Sequence, residues 1–151
     1  MVTIGATAPL FTLKNSATKD INLKNFRGQW VVLYFYPKDM TPGCTIEANE
    51  FSHLKKEFEK KDATIIGISK DTCESHKKFI EKERLTIQLL SDPDTKVMKL
   101  YGVWKKKKFM GREFLGTVRS TCLIDPKGKI AKTWQNVTAK GHAAEVLHSI
   151  R

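Results

Sequence analysis

The residues best suited to chemistry lie in one short run, Thr41-Pro42-Gly43-Cys44. Downstream, Ile46, Phe51, Leu54 and Phe58 fall at helical spacing with Lys and Glu between them, which predicts an amphipathic helix. Thr41 suits its N-cap, and Pro42 suits the first helical position, where a missing N–H costs nothing. Cys44 then lands in the first turn. Unpaired amides and the positive end of the helix dipole favour a thiolate there, so the expected chemistry is nucleophilic. Thr41, three residues back, can set its hydroxyl beside the sulfur. The competing reading is a cysteine used as a small buried hydrophobe.

The elements that must position this turn follow from the flanking pattern. Trp30-Val31-Val32-Leu33-Tyr34-Phe35 is an unbroken apolar run, the mark of a central strand buried on both faces. Phe11 to Leu13 and Ile21 to Leu23 alternate like half-buried strands, and Ala63 to Ser69 is a second apolar strand. Helices are expected from Thr72 to about Glu83, after Asp92-Pro93-Asp94 to Gly102, and from His142 to Ile150. Ile87 to Leu90 reads as a short strand. Thr117 to Ile124 and Ile130 to Trp134 read as a hairpin around Asp125-Pro126-Lys127-Gly128. Strands alternating with helices predict an α/β fold: a central mixed sheet flanked by helices, in a single domain spanning residues 1–151.

Pro37-x-x-x-Thr41-x-x-Cys44, within Tyr34-Phe35-Tyr36-Pro37-Lys38-Asp39, resembles the peroxiredoxin signature, in its bacterioferritin comigratory protein (peroxiredoxin Q) branch. Gly67-Ile68-Ser69, Leu89-Leu90-Ser91-Asp92, Tyr101-Gly102-Val103-Trp104 and Arg119-Ser120-Thr121-Cys122-Leu123-Ile124-Asp125 extend the resemblance over nearly the whole chain. It implies a thioredoxin-like fold in its peroxiredoxin variant. In that fold Thr41-Pro42-Gly43-Cys44 stands where the superfamily carries Cys-x-x-Cys, and only the second cysteine is present, so dithiol exchange at this turn is excluded.

By the same resemblance Cys44 is the peroxidatic cysteine, Thr41 and Arg119 bind the peroxide, and Pro37 shields the thiolate. Peroxide reduction needs an always-charged donor that stabilises both the thiolate and the departing oxygen, which suits arginine. Glu47 is a candidate to orient Arg119 through an ion pair. The implied substrates are hydrogen peroxide and alkyl hydroperoxides, with thioredoxin or glutathione/glutaredoxin as reductant. No metal, haem or flavin cofactor is expected, and the expected form is a monomer.

The oxidised sulfur must then be resolved by a thiol. The positions that carry a resolving cysteine elsewhere in the branch are occupied here by Asn49 and Ile80. A one-cysteine mechanism using an external thiol is therefore expected, with Cys73 as the alternative internal resolver. Cys122 alternates away from Arg119, Thr121 and Leu123 and reads as core. Three cysteines without Cys-x-x-Cys spacing argue against a disulfide scaffold or structural zinc, and no secretory leader is visible, so a cytoplasmic location is expected. His53, His76, His142 and His148 show no ligand grouping and are expected at the surface.

The net charge of +11 invites a nucleic-acid reading, with Lys105-Lys106-Lys107-Lys108 as the one dense basic run. No zinc-finger, helix-turn-helix or aromatic RNA-binding signature accompanies it, so no specific nucleic acid is expected. No membrane partner is expected either, because no apolar stretch reaches spanning length. Two rival functions remain: a redox sensor or chaperone-like protein using the same cysteine, and a basic DNA-protecting protein.

Overall fold

A computed structural model describes residues 1–151. In chain order the elements are β1 (Thr12–Asn15), β2 (Asp20–Asn22), a 3₁₀ turn (Leu23–Phe26), β3 (Trp30–Phe35), α1 (Pro42–His53) and α2 (Lys55–Lys60). Next come β4 (Ala63–Ser69), α3 (Cys73–Glu83), β5 (Gln88–Ser91) and α4 (Lys96–Leu100). β6 (Trp104–Phe109), β7 (Arg112–Thr117), β8 (Ser120–Ile124), β9 (Ile130–Trp134) and α5 (His142–Ser149) complete the chain. None of these helices is long and apolar enough to cross a membrane.

Seven strands form one mixed sheet in the order β2-β1-β5-β4-β3-β8-β9. The apolar run Val31 to Phe35 is buried, as a strand covered on both faces must be, and β3 lies parallel to β4 and antiparallel to β8. One face packs against α1, α2, α3 and α5 through Phe51, Phe58, Phe79, Val146 and Ile150. The other face packs against α4 through Val97, Met98 and Tyr101. Each layer buries what the sheet's alternation presents to it. Cys122 joins the α4 face with Val31, Leu33 and Phe35, while Cys44 and Leu123 lie on the opposite face.

Local chemistry sets the helix starts. The Thr72 hydroxyl accepts from the Ser75 amide at 3.1 Å and caps α3. The buried Asp92 carboxylate accepts from the Met98 amide at 2.9 Å and anchors the start of α4.

Three sequence expectations change. The single helix predicted after Cys44 is two helices, because the backbone at Leu54 leaves helical geometry (φ −93°, ψ 4°) and turns Phe58 back onto Phe51. Ile46, assigned to the apolar stripe, is 43% exposed; the inward face of α1 is Cys44, Glu47, Ala48 and Phe51. The strand predicted from Thr117 to Ile124 is interrupted. Thr117 ends β7, which pairs with the lysine-rich β6 as a separate two-stranded ribbon, and β8 begins at Ser120.

Candidate active site around Cys44

The site stands at the carboxyl end of the parallel strands, where β3 and β4 hand over to α1 and α3. Tyr36 and Pro37 leave β3, and Met40 takes a left-handed conformation (φ 63°) that turns the chain into α1. Pro42 occupies the first turn of α1, as its ring geometry favours. Cys44 follows with 1% of its surface exposed.

Arg119 reaches this sulfur from the interruption between β7 and β8. Its carbonyl accepts from the Val137 amide at 2.9 Å, which holds the backbone while the side chain crosses to α1. Nη2 donates to Cys44 Sγ at 3.2 Å, and Nη1 donates to Glu47 Oε1 at 2.6 Å. The same guanidinium thus carries both contacts. Burial works against its charge, but Glu47 and Cys44 outweigh that effect and hold the Arg119 pKa above its ordinary value. Glu47 is fully buried, and burial pushes its carboxyl up to about 7 against the opposing pull of Arg119. Its second oxygen, Oε2, and the Tyr34 hydroxyl are buried without a hydrogen-bond partner.

Gly43 contributes by what it lacks. A Cβ there would lie 3.1 Å from Arg119 Nη2, the nitrogen that donates to the sulfur. The glycine before the cysteine leaves room for the guanidinium.

Thr41 stands at the N-cap with extended backbone, yet its hydroxyl does not cap the helix. It donates back to the Lys38 carbonyl at 2.8 Å. This corrects the expected capping bond: the left-handed Met40 brings the Lys38 carbonyl into reach, and that carbonyl accepts the hydroxyl's hydrogen bond. Pro37 is half-buried in the turn after β3. Cys73 is the first residue of α3 and half-buried, and all three cysteines are free thiols. Cys122 is buried, and that burial pushes its thiol up to about 12.

A polar network missed in the sequence ties the two loops together. Asp39 is 4% exposed; its Oδ1 accepts from the Tyr36 hydroxyl at 2.6 Å and its Oδ2 from the Ser75 hydroxyl at 2.8 Å. His76 Nδ1 lies 2.7 Å from the same Oδ2, and His76 Nε2 donates to the Leu90 carbonyl at 2.9 Å. The Asp39 amide donates to Asp71 Oδ2 at 2.9 Å. The start of α3 is therefore pinned to the loop that precedes Cys44. These donor atoms of Asp39, Asp71 and His76 lie within 4.8 Å of one another, but protein partners already engage them, as in a closed hydrogen-bond network.

His76 and His142 are buried, contrary to the surface expectation, while His53 and His148 are exposed. His142 Nε2 pairs with the Thr121 hydroxyl at 2.7 Å and Nδ1 with Glu145 at 3.0 Å. Burial lowers the His142 pKa, with Glu145 pulling the other way. The only sequence signal for the Asp39 network was its place in the Pro37-Lys38-Asp39 turn; the partner histidine sits 37 residues away.

Residues 4–133 match the AhpC/TSA family. The chain is 50% identical over 147 residues to a putative peroxiredoxin bcp of Helicobacter pylori, covering 97% of each chain. A crystal structure of a Cys-to-Ser mutant of PrxQ from Xylella fastidiosa shares 39% identity and superposes with a TM-score of 0.93, covering 98% of this chain and 94% of that one. The Xanthomonas campestris bacterioferritin comigratory protein, whose alkyl peroxide reduction was studied in trapped intermediate and ligand complexes, shares 38% identity with a TM-score of 0.89, covering 93% and 89%.

Proposed function

The chain belongs to the AhpC/TSA family, in its bacterioferritin comigratory protein (peroxiredoxin Q) branch, and from that premise we propose that Cys44 is the peroxidatic cysteine of this thiol-dependent peroxidase. The observation that carries the reading is the Arg119 guanidinium held by Glu47 at 2.6 Å and donating to the sulfur at 3.2 Å.

The Cys44 thiolate attacks one oxygen of the hydroperoxide in line with the O–O bond. An S–O bond forms, the O–O bond breaks, and the departing alkoxide or hydroxide takes a proton to leave as alcohol or water. Charge grows on that departing oxygen, and Arg119 is a fixed donor that stabilises it without titrating. For Thr41 to donate to the peroxide, its hydroxyl proton must leave the Lys38 carbonyl. Pro37 limits the approach of water.

The product is a sulfenic acid. An external thiol attacks its sulfur, forming a mixed disulfide and releasing water; a second thiol then releases Cys44 and leaves as the oxidised donor. Cys44 is only 1% exposed, which closes its sulfur to a protein thiol, so the first turn of α1 must open for resolution. Thioredoxin or glutathione/glutaredoxin serves as donor, and three free thiols suit a reducing cytoplasm. In the second version of the cycle, Cys73 at the start of α3 resolves Cys44. Its support is the network that joins the Asp39 loop to the first turn of α3.

Steady-state consumption of hydrogen peroxide tests the cycle. Cys44→Ser abolishes turnover with every donor. With Cys73→Ser, full turnover supports the external thiol, and loss of thioredoxin-coupled turnover alone supports internal resolution.

A further inference from the structure

We propose that the β6–β7 ribbon is a docking element that inserts its tip into the headgroup region of an anionic phospholipid bilayer.

The ribbon pairs only with itself, from Trp104↔Thr117 at its root to Phe109↔Arg112 at its tip. Exposure rises along it: Thr117 is 3% exposed, Phe109 68% and Met110 88%. No other large apolar side chains in the protein are as exposed as these two. A tip of this kind is costly in water unless something covers it.

Cations flank the apolar tip. Strand alternation and the pairing register put Lys107, Phe109, Phe114 and Arg112 on one face and Lys106, Lys108, Leu115 and the one acidic residue of the ribbon, Glu113, on the other. No acidic group lies within salt-bridge distance of any of these cations. Phe114 is 47% exposed and Leu115 58%, so apolar surface is present on both faces as well as at the tip.

That distribution selects the occupant. A flat protein surface or a stacked single strand of nucleic acid covers one face of a ribbon and leaves the other in water. A lipid interface surrounds the tip. Its acyl boundary takes Phe109 and Met110 to a depth of about 5–10 Å, while the long lysine stems carry their charges back to the phosphates. The overall charge of +11 complements an anionic surface and opposes contact with a second copy of the chain. The sequence expectation of no membrane partner rests on the lack of a spanning segment, and this proposal departs from it, because interfacial contact needs none.

The ribbon also has a defined place. β7 ends two residues before Arg119, and Ser120 pairs with Phe35 at the end of β3 from which the Cys44 loop departs. The ribbon therefore emerges beside the Cys44 end of the sheet.

Co-flotation of the full-length protein with vesicles tests this, using phosphatidylcholine alone and with about one-third phosphatidylglycerol. Binding is expected only to the anionic vesicles. It should weaken roughly tenfold or more in Phe109→Ser/Met110→Ser and again in Lys106→Glu/Lys108→Glu, with both melting transitions unchanged. Absence of flotation overturns the proposal, as does flotation that ignores the tip variant, which is adsorption by charge alone. A fluorescent single-stranded oligonucleotide provides the other arm: tighter binding to it than to vesicles, lost with the lysines and indifferent to Met110→Ser, assigns the ribbon to nucleic acid.

Discussion

Glu47 and Arg119 meet at 2.6 Å although they lie 72 residues apart, and the Glu47 side chain has no exposed surface while the Arg119 side chain keeps 16%. The pair therefore fixes the arginine from its buried side and leaves its other nitrogen directed at Cys44. A buried charge of this kind is stable only while its partner remains.

The Glu47 carboxyl rises from 4.5 to about 7 on folding, chiefly through burial. Between those values the folded state binds more protons than the unfolded state, so the stability Glu47 contributes is full below about 4.5 and is lost as pH rises through 7. Urea unfolding of wild type and Glu47→Gln should show the difference moving against wild type by about 3 kcal/mol between pH 5 and pH 8. A pH-independent difference contradicts the assignment.

Arg119→Lys keeps the charge but loses the fork. A single ammonium cannot serve Glu47 and the sulfur with the same geometry. The rate of peroxide reaction with the reduced enzyme, read by stopped-flow fluorescence, should fall roughly a hundredfold. A loss under twofold means that charge alone suffices.

Gly43→Ala tests the room left for the guanidinium. The added Cβ sits 3.1 Å from Arg119 Nη2 and displaces it by a few tenths of an ångström. The expected outcome is a roughly tenfold slower peroxide reaction with the melting transition little changed. If the rate is unchanged, the arginine can yield without cost.

Gly67→Ala acts on the scaffold. A Cβ at Gly67 would fall 2.7 Å from Tyr34 Cζ and 2.8 Å from Leu89 Cδ2, between two fully buried side chains on neighbouring strands. Overpacking of this sort should cost about 1–3 kcal/mol in chemical denaturation. The Tyr34 ring stacks on Phe51 of α1, so the same variant should loosen the helix that carries Cys44.

How much of this was legible in the sequence depends on the range of the forces involved. The Thr41-Pro42-Gly43-Cys44 turn, the strand Trp30–Phe35 and the helix from Cys73 to Glu83 follow from local rules of capping, φ restriction and apolar runs. The inward face of α1 does not. Hydropathy puts Ile46 inside, yet Glu47 takes the buried place because Arg119 neutralises it from a distant strand end. His76 and His142 are buried for the same reason, each with partners on other elements. The ribbon escaped notice because Lys105–Lys108 has no apolar alternation; its strands are held by backbone pairing with Arg112–Thr117. The Thr41 hydroxyl turned to Lys38 because of a left-handed residue, Met40, that no composition rule signals.

The Cys44 sulfur is the proposed nucleophile, which takes one oxygen atom from peroxide and becomes the sulfenic acid. Intact mass and peptide mapping after one equivalent of hydrogen peroxide, with dimedone present, test it most directly. One dimedone adduct is expected on Cys44 in wild type and none in Cys44→Ser, with Cys122 unmodified in both. An adduct of equal yield that persists in Cys44→Ser, or peroxide consumed while Cys44 stays reduced, contradicts it.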